Sequence, residues 1–195
     1  ATNIPVSWRE ETELEWISHQ GECKQLVVWF GALARNKSAR MASAISTDEQ
    51  ATSIMSHADN RQQTCLAQSL GRYLFEPDPA VIAAQLVNNL ADREGMSFVS
   101  EGVAYLTGNE LSTSPLLAAF EVIEQASFDI KQVKAMLRRH DIGTLEIKKR
   151  GVEVQPERLR KQLKTNGQLP ATLLLTPLAG KTAAVLARRI CQPNH

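Results

Sequence analysis

Gly143-Thr-Leu-Glu-Ile-Lys-Lys-Arg-Gly151 decides how the second half of this chain is read. Apolar Leu145 and Ile147 alternate with polar Glu146, Lys148 and Arg150, the period-two pattern of a strand, and a glycine bounds each end. Three consecutive cations are costly to bury, so this strand end is expected at the surface, with Lys148 and Arg150 on a solvated face.

Working outward, each flank reads as a helix. Upstream, Ser127 or Asp129 caps a segment with Ile130, Val133 and Leu137 inward and Lys131, Lys134 and Arg138 outward. Arg138, Arg139 and His140 fall in its last turn, where cations favour the helix dipole. Downstream, Pro156 starts a helix with Leu159 and Leu163 inward and Arg158, Arg160, Lys161 and Lys164 outward, ended by Asn166-Gly167. Leu116–Ala126 reads as a buried strand, although its length also allows a helix. Ala171–Leu175 and Thr182–Arg189 read as a closing hairpin across residues 177–181. The order from Leu116 is β-α-β-α-β-β, which predicts a small α+β sandwich with helices on one sheet face.

Charge divides the chain of 195 residues. Residues 128–195 hold 14 Lys and Arg against 5 Asp and Glu, a balance of +9; residues 1–127 hold 8 against 16, a balance of −8. A basic module beside an acidic one predicts a polyanion partner for the basic half, or attraction between the two halves. Candidate contacts to the phosphates of such a polyanion are Lys131, Lys134, Arg138 and Arg139 on the first helix, Lys148, Lys149 and Arg150 on the strand, and Arg158, Lys161 and Lys164 on the second helix.

The acidic half reads differently. Residues 1–12 form an irregular lead-in. Glu13–Ser18 alternates polar and apolar, and Cys23–Leu33 is β-branched and aromatic, a second and more buried strand. With the turn at His19–Glu22 they predict a hairpin that must join a larger sheet. Val27, Trp29 and Trp16 are then an exposed apolar surface suited to self-association. Ser38–Ser46 is a third strand candidate. Residues 47–71 are polar and read as a linker, giving a division into 1–46, 47–71 and 72–195. Asp78 and Pro79 then start a helix running to about Glu94, with Ile82, Leu86 and Leu90 as its apolar stripe and Gly95 as its stop. Met96–Thr107 holds one or two short strands, and residues 108–115 form a break.

Most catalytic chemistry is missing from these residues. Gly180-Lys181-Thr182 lacks the glycine five residues earlier that a phosphate loop needs, since Leu175 stands there. No G-x-G-x-x-G and no G-x-S-x-G occurs. Glu76 and Asp78 as an acid–base pair is weaker than helix capping by Asp78. Cys23, Cys65 and Cys191 are widely spaced, which fits reduced thiols in the cytoplasm. The four histidines share no helical spacing, so no metal site is expected. No apolar run approaches the roughly 20 residues that span a bilayer, and no membrane partner is expected.

Arg72-Tyr-Leu-Phe-Glu-Pro-Asp-Pro-Ala-Val-Ile-Ala-Ala-Gln85 resembles the entry to the THUMP-like domain at the C-terminus of certain class I S-adenosylmethionine-dependent methyltransferases. Tyr105–Gly108, Gly143–Val152 and Ala171–Arg189 carry the same resemblance. The hairpin Glu13–Leu33, with Glu15-Trp-Ile-Ser18 and Trp29-Phe-Gly31, resembles the last two strands of the methyltransferase sheet. The resemblance implies RNA as substrate class, S-adenosylmethionine as the full-length family's cofactor and a catalytic core upstream. These residues hold no cofactor-binding or catalytic motif of it. The expected function is an RNA-positioning accessory region. The alternative is a protein-interaction module docking its basic face on an acidic partner.

Overall fold

A computed structural model describes residues 11–56 and 64–191, together with Pro5 and Trp8. The rest of the lead-in, part of the 47–71 stretch and the last four residues lie outside the described residues.

The acidic half builds a four-stranded sheet in the order β2-β1-β3-β4. Strands β1 (Glu13–His19) and β2 (Glu22–Trp29) form the expected hairpin, antiparallel across Gln20 and Gly21. Both turn residues have positive φ, 52° and 72°, the geometry that matches strand twist. β3 (Arg40–Ile45) runs parallel to β1 on its other side. The expected burial is therefore inverted: β1 is the buried strand and β2 a half-exposed edge. Hydrophobic content made β2 look central, but position in the sheet decides burial, and β1 has neighbours on both sides. Its buried acids are satisfied. Glu15 accepts from Ser43 Oγ at 2.6 Å and Trp29 Nε1 at 3.0 Å, and Glu13 accepts the Asn36 amide at 3.0 Å. Trp16, expected on the exposed apolar surface, is buried in the core under the Arg40 guanidinium. The large exposed apolar groups here are Phe30, Leu33 and Trp8, whose ring meets that of Phe30 edge-on at 5.5 Å.

The polar stretch 47–71 is not all loop. Ala51–Met55 is β4, antiparallel to β3. Only Ile54 of this strand is buried, and Ser53 reaches Ser43 Oγ at 2.8 Å. A strand with one wet face carries too few apolar residues to register by composition. The helix expected from Pro79 to Glu94 is two, α1 (Pro79–Ala83) and α2 (Val87–Glu94), because Gln85 takes a left-handed φ of 57°.

The second sheet has seven strands in the order β6-β7-β5-β8-β11-β10-β9. They are β5 (Tyr73–Pro77), β6 (Ser97–Phe98), β7 (Leu106–Gly108), β8 (Leu117–Ser127), β9 (Ile142–Lys149), β10 (Leu169–Leu178) and β11 (Lys181–Arg189). The closing hairpin turns on Ala179 and Gly180, both at positive φ, a tighter turn than expected. Helices α3 (Ile130–Arg139) and α4 (Pro156–Leu163) pack on one face through Val133, Met136, Leu137, Leu159 and Leu163. The four-stranded sheet and α1–α2 share a core with β5 and the start of β8, where Trp16, Ile54, Phe75 and Leu117 meet. The opposite face of the large sheet holds Leu74, Tyr105, Phe120, Leu174 and Val185.

β9 is pinned at its start. A Cβ on Gly143 would lie 1.9 Å from the Gly167 carbonyl oxygen, so two backbones touch where Asp141–Gly143 meets Gly167 and Gln168. Only glycine allows that approach.

Candidate nucleic-acid interface and the adjoining cleft

Asp129 fixes the start of α3, its carboxylate accepting from the amides of Lys131 and Gln132 at 2.9 and 3.0 Å. With Val133, Met136 and Leu137 turned to the sheet, Lys131 and Arg138 project outward, exposed, and Lys134 is half-buried. α4 turns Leu159 and Leu163 inward, which leaves Arg158, Arg160, Lys161 and Lys164 exposed beside α3. None of these seven cations has an ion pair among the described residues. Arg139 does: it meets Glu124 at 2.8 Å, and His140 Nε2 meets the same carboxylate at 2.7 Å. Lys149, in step with Leu145 and Ile147, is exposed at the edge of this face.

Lys148 and Arg150 are elsewhere. They alternate with Lys149, so they emerge on the other face of the sheet, and they are not solvated as their strand pattern suggests. Lys148 Nζ donates to Glu76 Oε2 at 2.7 Å and Arg150 donates to Glu76 Oε1 at 3.0 Å. Side-chain exposures of 24%, 30% and 16% for Lys148, Arg150 and Glu76 make this a partly buried triad. The Arg150 guanidinium also lies over the Tyr105 ring, 5.4 Å from its centroid. Three strands separate β5 from β9, a span of about 19 Å in a flat sheet. The sheet must coil until its flanks meet, and the triad closes it. Neither local pattern foretold this pairing. The one available sign was a cation run too long to be left without a counter-charge.

Beside the triad a cleft of about 710 Å³ opens between the two sheets. The β1–β2 turn (Gln20, Gly21) and Ser46–Thr47 line it from one side, and the ends of β5, β9 and β11 from the other. Asp78 is engaged: its Oδ1 accepts from Ser18 Oγ at 2.6 Å and from the Ala80 amide at 2.7 Å, capping α1. Arg189 stands at the rim over the Phe120 ring, 5.7 Å from its centroid. These residues do not fit S-adenosylmethionine. The β1–β2 and β3–β4 connections are tight turns, and no described strand leads through a glycine-rich turn into a long helix, which a nucleoside cofactor's loop requires. Among the described residues no group of three potential metal ligands gathers, and no helix is long and apolar enough to cross a membrane.

Comparison with known proteins bears on this geometry. Residues 117–189, which carry α3, α4 and the strands beneath them, match the family described as THUMP domain-like. The chain is similar to an uncharacterized S-adenosylmethionine-dependent methyltransferase of Mycobacterium tuberculosis, in strains CDC 1551 / Oshkosh and ATCC 25618 / H37Rv. Identity is 32% over 185 residues, covering 95% of this chain and 49% of the relative. The chain therefore spans about half the length of the curated relatives it matches. The crystal structure of a proposed methyltransferase from Porphyromonas gingivalis W83 shares its fold, with a TM-score of 0.75 at 20% identity, over 93% of this chain and 46% of that one.

Proposed function

We propose that this chain is the RNA-binding, substrate-positioning region of an S-adenosylmethionine-dependent RNA methyltransferase, the C-terminal half of a class I enzyme whose cofactor-binding core precedes it. The methyltransferase homology and the THUMP-like domain support the setting. The observation that carries the RNA role is the outer face of α3 and α4, where exposed Lys131, Arg138, Arg158, Arg160, Lys161 and Lys164 gather without ion-pair partners among the described residues. Exposed cations keep full hydration until a polyanion releases its counterions, the source of sequence-independent affinity. Phe128, the one aromatic residue after Phe120, packs partly buried against the core, so base stacking on this face is a small term. The region holds RNA by its phosphates and leaves chemistry to the core.

Filter binding to a mixed RNA pool across a salt series tests this. Four phosphate contacts give a slope of log affinity on log salt of about −3 for single strands. The combined variant Lys131→Glu, Arg138→Glu, Arg158→Glu, Lys161→Glu is expected to lose affinity for all sequences alike and to unfold at the wild-type temperature. A flat salt response, or unchanged affinity in the variant, sinks the reading.

A further inference from the structure

We infer that the cleft between the sheets takes one nucleotide of the bound RNA, its phosphate on Lys148, Arg150 and Arg189 and its base against the wall of Pro77, Pro79 and Pro115. The inference rests on the RNA reading above and names where part of the strand goes. The first ground is hydrogen-bonding capacity. Both carboxylates lining the cleft are engaged: Glu76 by Lys148 and Arg150 through its two oxygens, Asp78 by Ser18 and the Ala80 amide. The cations are not used up in the same way. Arg150 makes one charged hydrogen bond with a fork that can make several. Lys148 makes one at 2.7 Å and lies 3.8 Å from Glu146, beyond hydrogen-bond reach. Arg189 has no ion pair among the described residues and stands on the cleft rim. Donors without acceptors in a half-enclosed cleft call for an oxygen-rich anion.

The second ground is shape. A volume of about 710 Å³, with proline surfaces beside the charged groups, suits a ligand with one flat apolar part and one anionic part. A bare anion would leave the apolar wall uncovered. The third ground is path. β9 is an edge strand of the large sheet, and consecutive residues at its end face opposite ways: Lys149 toward the basic helical face, Lys148 and Arg150 toward the cleft. A single strand held along α3 and α4 and crossing this edge meets cations throughout.

The test is a titration of the 195-residue chain with ribonucleoside 5′-monophosphates, followed by amide chemical shifts. Parallel arms use the nucleosides and inorganic phosphate. Monophosphates are expected to shift Gly21, Thr47 and Ile190, with nucleosides and phosphate each binding more weakly. Arg189→Gln, an exposed position, is expected to weaken the monophosphates about tenfold, the loss of one charge-assisted contact. The four-residue helix variant is expected to leave mononucleotide affinity unchanged while losing long RNA. Shifts confined to α3 and α4, nucleosides binding as tightly as monophosphates, phosphate competing at equal affinity, or unchanged affinity in Arg189→Gln overturns the inference. Salt-dependent RNA binding with a silent cleft overturns it alone, and absent RNA binding removes the reading on which it rests.

Discussion

Glu76 ties the two flanks of the large sheet together through both oxygens of its carboxylate. Its carboxylate joins two cations at the end of β9, a strand separated from β5 by three others in the sheet. Glu76→Gln would leave Arg150 partly buried without a counter-charge and Lys148 with Glu146 alone, 3.8 Å away, at a cost of about 2 kcal/mol, below the figure for a fully buried pair because water reaches part of the triad. Chemical denaturation reads this directly, and an unchanged midpoint would remove the closing role. Tyr105 lies next to the triad, fully buried, and its hydroxyl has no hydrogen-bond partner of good geometry among the described residues. Burial, helped by the Glu76 carboxylate and opposed by Arg150, pushes the Tyr105 hydroxyl well above the ordinary tyrosine range. A raised value means the folded chain keeps the proton that the unfolded chain releases. That contribution is whole below about pH 10 and is lost as pH rises above it. Tyr105→Phe is expected to be neutral or stabilising by up to about 1 kcal/mol at pH 7, since an unsatisfied group leaves the core. It should also flatten the alkaline loss of stability, which a series of thermal melts from pH 8 to about 11 checks.

Among the elements, two of the four edge strands, β2 and β9, carry different consequences. β2 presents an unpaired outer edge, and just beyond it Phe30 and Leu33 are exposed at 49% and 67%. This surface, rather than Trp16, suits self-association or the edge of a larger sheet. Phe30→Glu with Leu33→Glu is expected to shift sedimentation at high concentration toward monomer while leaving the fold intact. Wild type sedimenting as a monomer under the same conditions removes the idea. β9 depends on the close pass of Gly143 against Gly167. Gly143→Ala would place a methyl group against a backbone oxygen that no rotamer change can move. A loss of about 3 kcal/mol is expected by urea denaturation, the upper part of the overpacking range.

At the scale of the molecule, the charge division of −8 and +9 does not map onto a simple contact between halves. Part of the basic half turns its cations outward on α3 and α4, and part turns Lys148 and Arg150 inward to an acid of the other half. The two sets answer to different measurements. Reversing Lys148 and Arg150 to Glu is expected to lower stability, because three carboxylates would then share one partly buried place, whereas reversing the helical set is expected to change RNA affinity alone. Isothermal titration of the chain with S-adenosylmethionine is expected to show no binding, because no described strand and helix form the cofactor's loop. Micromolar affinity would overturn that and revive a catalytic reading of these residues.

The sequence by itself determined the elements whose cause is local. Period-two alternation placed β1 and β9, and Asp129, Pro156 and Gly95 placed helix ends, because caps and alternation act within a few residues. It also singled out the cations of α3 and α4, since helical periodicity fixes which side chains oppose the core. The tertiary structure alone decided which strand of the first hairpin is buried, that Ile54 is enough to make β4, and that Gln85 breaks one helix into two. It alone decided the fate of Lys148 and Arg150. Their pattern guarantees a shared face but says nothing of what that face meets. Their partner lies more than seventy residues away, and only the coil of a seven-stranded sheet brings it within 3 Å.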